Sequence, residues 1–181
     1  MHPILIQLHE DHSHIRQLLR LLDPVAGGGV DRHHLQRAAD VMRYMTGYPD
    51  QFHHPREDLM FGPLAERDAA SCDEVGRLRE EHVRLGEQGL VLHEALATCL
   101  EADRLVETDL AVMIRDYADA QRSHMDREEQ SVFAKARLVL TLEDWSGIDS
   151  VLAARPDPLF GKRVQRSFRD LREFLTGTPG S

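Results

Sequence analysis

The chain has 181 residues, and 41% of them are hydrophobic, which is enough for one domain with a buried core. Its 22 basic and 31 acidic residues give a formal net charge of −9, which argues against nucleic acid and acidic membrane surfaces as partners. Small neutral ligands or cations suit this charge better. The N-terminus shows no basic-then-apolar leader and no stretch approaches a membrane span, so we expect a protein of the reducing cytoplasm.

Strand signals are nearly absent, whereas long stretches between the glycine and proline clusters have helical periodicity. The pattern predicts four long helices, at about 3–22, 31–63, 73–100 and 107–138. Asp31 is an acceptable N-cap for the second helix, and Gly62 and Pro63 predict that its end is frayed. Pro49 and Pro55 predict a kink or short break in it near residues 47–51, because proline removes a helical hydrogen bond.

Polar residues interrupt the apolar seam of each predicted helix. In the first helix, His12 falls between Leu8 and Ile15. The seams of the third and fourth helices contain similar polar residues among apolar ones, namely Val75, Leu78, His82, Leu85, Gly89, Leu92 and Leu96, and then Leu110, Met113, Tyr117, Ala120, His124, Glu128 and Val132. A buried polar group needs a partner, so these positions call for a ligand or a hydrogen bond.

Two near-repeats connect these polar residues. His53-His54-Pro55-Arg56-Glu57-Asp58 nearly recurs as His124-Met125-Asp126-Arg127-Glu128-Glu129, and Glu10-Asp11-His12 precedes the first copy as Glu80-Glu81-His82 precedes the second. A histidine and a glutamate four residues apart lie on one helix face, so each copy offers an imidazole and a carboxylate in the same direction. The chain therefore resembles a duplicated two-helix unit.

An all-α, up-down-up-down four-helix bundle with additional C-terminal helices brings these residues to one depth. The layer would contain His12, His53, Glu57, His82, His124 and Glu128. Six ligands are too many for one tetrahedral zinc ion but suit two first-row metal ions with the glutamates bridging. Imidazole and carboxylate without thiolate favour iron or manganese over zinc.

The C-terminal part is predicted to be a helical extension, residues 141–181, packed on a bundle of residues 1–140. It contains a short helix near 145–153, a turn at Arg155-Pro156-Asp157-Pro158 and a basic amphipathic helix at about 159–175. The alternative is that this last helix binds a partner or a second copy. Residues 176–181 are predicted to be disordered.

These motifs resemble hemerythrin-like proteins of the HHE cation-binding family over essentially the whole chain. The resemblance implies a non-haem di-iron centre, oxo- or hydroxo-bridged, with the six residues above as ligands; manganese or zinc is less expected. Oxygen-carrying hemerythrins place another histidine four residues from the third-helix one, but Leu78 and Gly86 occupy those positions here. His54 is the nearest replacement, followed by Tyr48 and Tyr117.

A missing ligand leaves a position on iron at which O2, peroxide or nitric oxide can bind and be turned over. The resemblance thus implies gas or peroxide chemistry, with enzymatic activity left open. The alternative is a non-catalytic iron-storage or iron- and oxygen-sensing module that signals through its C-terminal helix. The expected partners are a small diatomic or peroxide ligand, with the chain a monomer or homodimer.

The remaining acidic and histidine residues are predicted to be bystanders. Asp11, Asp58, Glu81 and Glu129 adjoin the predicted ligands and could accept imidazole N–H groups, but solvated helix faces are the favoured interpretation. In the metal-free protein, Glu57 or Glu128 is expected to take up a proton or to open the bundle to water. The surface or structural histidines are His2, His9, His14, His33, His34 and His93.

Overall fold

The computed structural model describes residues 1–28, 31–102, 108–151 and 156–177. Within these ranges the regular secondary structure is entirely helical, which confirms the all-α prediction. The α-helices are α1 Pro3–Leu19, α2 Asp23–Ala26, α3 Arg32–Tyr48, α4 His54–Arg67, α5 Cys72–Glu101, α6 Thr108–Arg127, α7 Ala134–Val139, α8 Leu142–Val151 and α9 Arg169–Thr176. Among the described residues, no helix is long and apolar enough to cross a membrane.

Four helical stretches form the up-down-up-down bundle. Helix α1 is the first, and α3 continues into α4 as the second through a π-helical turn at Pro49–His53. Helix α5 is the third, and α6 continues into α7 as the fourth through a second π-helical turn at Glu128–Phe133. Helices α1 and α5 each pack against both α3 and α6, so the four stretches surround a common interior.

A side-chain cap sets the start of the second stretch, and the first stretch ends earlier than predicted. The Asp31 carboxylate accepts the backbone N–H of His34 at 3.0 Å, which is the predicted N-cap of α3. Helix α1 ends at Leu19 rather than at residue 22, and Pro24 lies in the first turn of α2. Proline fits that position because the first helical turn leaves its amide hydrogens unpaired anyway.

The proline-rich part of the second stretch is distorted without being broken. The predicted irregularity is the π-helical turn Pro49–His53, where the amide of His54 bonds to the carbonyl oxygen of Pro49, five residues earlier. The predicted fraying at Gly62 and Pro63 is wrong, because α4 runs on to Arg67. Burial of Phe61 and Leu64 in the core offsets the one hydrogen bond that proline removes.

The third helix buries the seam predicted for it, but the fourth departs from its predicted seam at two positions, 113 and 120. Met113 is 39% exposed, and Ile114 is buried instead. From Leu110 the helical period of 3.6 residues reaches position 114 as well as 113, and here the bundle interior lies on the Ile114 side. Ala120 is only half-buried, while Gln121 beside it is buried.

The apolar core is divided into two clusters with the predicted polar layer between them. One cluster contains Leu8, Met60, Leu78 and Val132, and the other contains residues such as Ile15, Tyr48, Leu85 and Met125. Each predicted ligand comes from the stretch of chain between one member of each cluster. The layer is therefore closed above and below by hydrocarbon.

The C-terminal residues add helices to the bundle but do not form the long amphipathic helix predicted at 159–175. Only the 3-10 turn Arg166–Phe168 and helix α9 are helical, because the Asp157 carboxylate accepts the amides of Leu159 and Phe160 and closes a turn. Helix α8 packs on α4, and α9 packs on α3. Residues 152–155 and 178–181, with part of the predicted turn and tail, lie outside the described residues. The division at residue 140 stays a prediction.

Candidate metal centre

The bundle brings the six predicted ligands together in one buried layer. All are at most 7% exposed, and three are fully buried, namely His12, Glu57 and Glu128. His53, His82 and His124 complete the set. The two near-repeats thus converge from opposite sides on one interior point.

The Glu57 carboxylate faces histidines on both sides of the layer. Its Oε1 lies 3.2 Å from His12 Nε2 and 3.3 Å from His53 Nε2. Its other oxygen, Oε2, lies 3.5 Å from His82 Nε2. One oxygen of Glu57 therefore faces His12 and His53, and the other faces His82.

Glu128 is arranged in the same way, except that its Oε2 faces His12 and its Oε1 faces His82 and His124. Its Oε2 lies 3.4 Å from His12 Nε2, and its Oε1 lies 3.4 Å from Nε2 of both His82 and His124. The two glutamates together divide the layer into a His12–His53 side and a His82–His124 side. Each carboxylate thus lies between the two pairs of histidines.

A further histidine, His54, joins the second side. It is 5% exposed and its ring stacks on that of His82, with centroids 4.4 Å apart and planes inclined by 13°. On each side, the potential ligand atoms lie within 4.8 Å of one another. One side contains His54, Glu57, His82 and His124, and the other contains His12, His53 and Glu57.

Four acidic side chains hold the outer nitrogens of the ligand histidines, so the prediction that they are solvated is wrong. Each carboxylate accepts an Nδ1–H from a histidine on the neighbouring helical stretch. The pairs are His12–Glu129 at 2.8 Å, His53–Asp11 at 3.2 Å, His82–Asp58 at 3.1 Å and His124–Glu81 at 2.9 Å. Such contacts fix the ring orientation and leave Nε2 free to bind a metal.

These pairs form a closed ring around the bundle. Each acid adjoins an inner residue in sequence and reaches the histidine of the next stretch, so all four stretches are linked. Arginines support two of them: Arg16 donates to Glu129 at 2.7 Å, and Arg127 donates to Glu81 at 2.6 Å. Burial raises the pKa of Glu129, but hydrogen bonds from His12 and Arg16 outweigh it and lower that pKa to about 2.

Proton affinities inside the layer favour charged imidazoles at His12, His53 and His82 when no metal is bound. Burial lowers the pKa of His53, but the charge of Glu57 and the hydrogen bond to Asp11 outweigh it and raise that pKa to about 9. Burial raises the pKa of Glu57, yet the neighbouring histidines bring it well below its usual value. The pKa of Glu128 is lowered too, although burial and the charge of Glu57 act to raise it. The expectation that a carboxylate takes up the proton is therefore wrong.

Several inner atoms have no hydrogen-bond partner among the described residues. They are Glu57 Oε2, both carboxylate oxygens of Glu128, and Nε2 of His82 and His124. Unpaired buried polar atoms are costly, and each of the five lies within 3.5 Å of another inner ligand atom. Imidazole nitrogens and carboxylate oxygens suit first-row metal ions, so the residues present fit a metal centre.

A third group of acids and histidine lies beside the centre and was not anticipated. Asp11, His14 and Asp157 approach one another, but Asp157 already accepts the Tyr44 hydroxyl at 2.8 Å and two backbone amides. Asp11 likewise accepts Gln7 at 2.9 Å as well as His53. The hydrogen bond from Tyr44 to Asp157 joins the C-terminal residues to the bundle, whereas His14 Nδ1 lies 3.8 Å from Asp157 and has no hydrogen-bond partner among the described residues. The only sequence signal was the Asp-Pro pair.

The fold and the centre together define a four-helix bundle with a buried histidine–carboxylate site for metal. The chain belongs to the hemerythrin family, since the model of the hemerythrin HHE cation binding domain matches residues 4–136. It is a metal-binding, hemerythrin-like protein, and the match includes all six predicted ligands and His54. Comparison with curated proteins found no match, and comparison with solved structures found none.

Proposed function

We propose that the protein holds two iron ions in this centre and binds or reacts with O2, peroxide or nitric oxide there. The ligands in this proposal are His12, His53, Glu57, His82, His124 and Glu128. The observation that carries it is that Glu57 and Glu128 each direct their two oxygens to different histidine groups. A single ion would not need both carboxylates turned this way.

The surrounding residues prepare the centre for such chemistry. When bound, iron would supply redox chemistry and a position for a small ligand. Phe133 stacks on His12 with centroids 5.3 Å apart, and Phe61 stacks on His82 at 5.8 Å, so both imidazole groups are shielded by aromatic rings. The outer carboxylates hold the imidazoles by Nδ1, which keeps Nε2 toward the metal without side-chain rearrangement.

Turnover by the iron-loaded protein tests the proposal. We expect addition of peroxide or nitric oxide to change the visible spectrum, and an enzyme would consume many equivalents per chain. Glu57→Ala is the loss-of-function variant for comparison, because it removes a carboxylate between the two histidine groups and should abolish both the spectral change and the turnover. The proposal would be contradicted if the visible spectrum of the iron-loaded wild type did not change on addition of O2, peroxide or nitric oxide.

A second candidate is a non-catalytic module that stores or senses iron and signals through its C-terminal residues. It is favoured by the network at Asp157, which holds the C-terminal segment beside Asp11, the partner of His53. For this candidate we expect binding without turnover, together with metal-dependent protection of residues 156–177 from protease. Catalytic consumption of peroxide or nitric oxide would exclude it as the sole role.

A further inference from the structure

We infer that His54 is a seventh metal ligand and that the two ions are held unequally. This inference rests on the proposed function. One ion would be held by His54, His82 and His124 together with the glutamates, and the other by His12 and His53 with the same glutamates. The open position for a small ligand would then belong to the ion on the His12–His53 side.

The π-helical turn explains how two consecutive histidines both reach the interior. On a regular α-helix, neighbouring residues point about 100° apart, so only one of them would face the layer. Here the His54 amide bonds to Pro49, five residues back, and His53 and His54 are only 2% and 5% exposed. Their rings point to different sides of the layer, since His53 meets His12 and His54 meets His82. Single π-helical turns of this kind occur frequently at functional sites.

An acid also lies next to the outer nitrogen of His54, as an ion-pair contact rather than a hydrogen bond. Its Nδ1 lies 3.3 Å from Oδ1 of Asp50, one turn earlier in the chain. Nε2 is then the nitrogen left for a metal, as in His12, His53, His82 and His124. The contact with His124 is edge-on, with ring centroids 5.9 Å apart.

Gly86 accounts for the absence of a ligand from the third stretch. It lies one turn after His82, and a Cβ built there would lie 3.7 Å from Asp50 Oδ2. That distance is an ordinary van der Waals contact, so the Asp50 carboxylate beside His54 lies against α5 at position 86, where the glycine offers no ligand.

The tyrosine alternatives are engaged elsewhere. The Tyr117 hydroxyl accepts the Gln121 side-chain amide at 3.1 Å and lies 3.4 Å from the Cβ position of Gly89. Gly89 is seven residues beyond His82, about 10 Å along α5. Tyr48 packs beside Tyr44 and Phe52, and its hydroxyl faces the Asp11 carboxylate.

Azide titration of iron-loaded protein tests the assignment, because azide is a small anion that occupies open positions on iron. We expect the wild type to hold two irons and bind one azide per chain. His54→Ala and the bulkier His54→Gln should keep two irons, alter the visible spectrum and bind a second azide. Added imidazole should return the His54→Ala spectrum toward wild type. His93→Ala, a half-buried histidine of α5, is the matched control and should behave as wild type.

The outcomes separate this inference from the function on which it rests. If wild type holds two irons but both His54 variants share its spectrum and azide stoichiometry, His54 is not a ligand and only the inference fails. If folded wild type does not hold two irons, the proposed function itself fails and the inference with it. Two azides bound by wild type would contradict the unequal sites.

Discussion

At the scale of single residues, the centre depends on two carboxylates that lie inside a hydrocarbon core. Glu57 and Glu128 are fully buried, and the neighbouring imidazoles balance their charges in the metal-free protein. Buried like charges are unfavourable unless such a counter-charge is present. These two residues should therefore be the most sensitive in the layer.

Removal of either inner carboxylate should lower the amount of bound metal per chain more than removal of one histidine. We expect Glu57→Ala and Glu128→Ala to hold fewer than one metal per chain, because each carboxylate spans both histidine groups and offsets the repulsion between two cations. His53→Ala should retain more metal, since it serves one side. Metal analysis after gel filtration measures this, with the exposed Glu94→Ala as control. Two metals retained by Glu57→Ala would disprove the bridging role.

The outer ring of acids should tune metal affinity. Glu81→Gln weakens the acceptor for His124 Nδ1–H, so we expect metal binding to weaken by about 10- to 100-fold. Competition with a chelator measures the affinity. Glu80→Gln, at the exposed neighbouring position, is the matched control and should bind as wild type. Equal affinities for the two variants would show that the ring does not position the ligands.

The six inner residues could be predicted because spacing fixes which face of a helix a residue occupies. The outer acids could not, because Asp11 and Glu81 lie one residue from a ligand and are turned about 100° away from it. Whether that direction meets solvent or a histidine of the next helix depends on how the helices pack. The periodicity of one helix does not contain this information.

At the scale of elements, two π-helical turns shape the ligand layer. Their hydrogen bonds reach one residue further back than in an α-helix, which changes the direction of the side chains that follow. Pro49 gave a sequence signal for the first turn. The second, Glu128–Phe133, contains neither proline nor glycine and was not predictable. Side-chain hydrogen bonding at Asp157 likewise overrode the amphipathic pattern that predicted helix from residue 159.

Asp157 should hold the C-terminal segment onto the bundle. Asp157→Ala removes the acceptor for Tyr44 and for two backbone amides, so we expect a loss of about 2–4 kcal/mol in unfolding free energy. Trypsin should then cut faster at the exposed Lys162 and Arg163, as followed by mass spectrometry. The exposed Asp149→Ala is the control. Wild-type cleavage rates in Asp157→Ala would mean that apolar packing alone holds this segment.

At the scale of the whole molecule, a polar layer divides the apolar core, so metal and protons should compete to stabilise the fold. In the metal-free protein, the pKa of His53 is raised to about 9, and those of His12 and His82 are raised as well. A histidine whose pKa is raised on folding adds stability below its unfolded pKa of about 6.5, and this stability disappears as pH rises through the folded value.

The stabilisation by metal should therefore grow as pH rises from about 5.5 to 9. Protonated imidazoles stabilise the metal-free bundle at low pH, whereas at high pH only metal supplies the positive charge. Thermal unfolding of loaded and chelated protein across this range gives the difference in Tm. We expect a small difference near pH 5.5 and a large one near pH 9. A difference that is constant or larger at low pH would contradict the pKa directions.

The proposed function requires two iron ions between the two histidine groups. Metal analysis of the purified protein, combined with its visible absorption spectrum, tests for them directly. We expect two irons per chain and the charge-transfer bands of an oxo- or hydroxo-bridged iron pair. One zinc per chain, with no visible absorption, would contradict the proposed function.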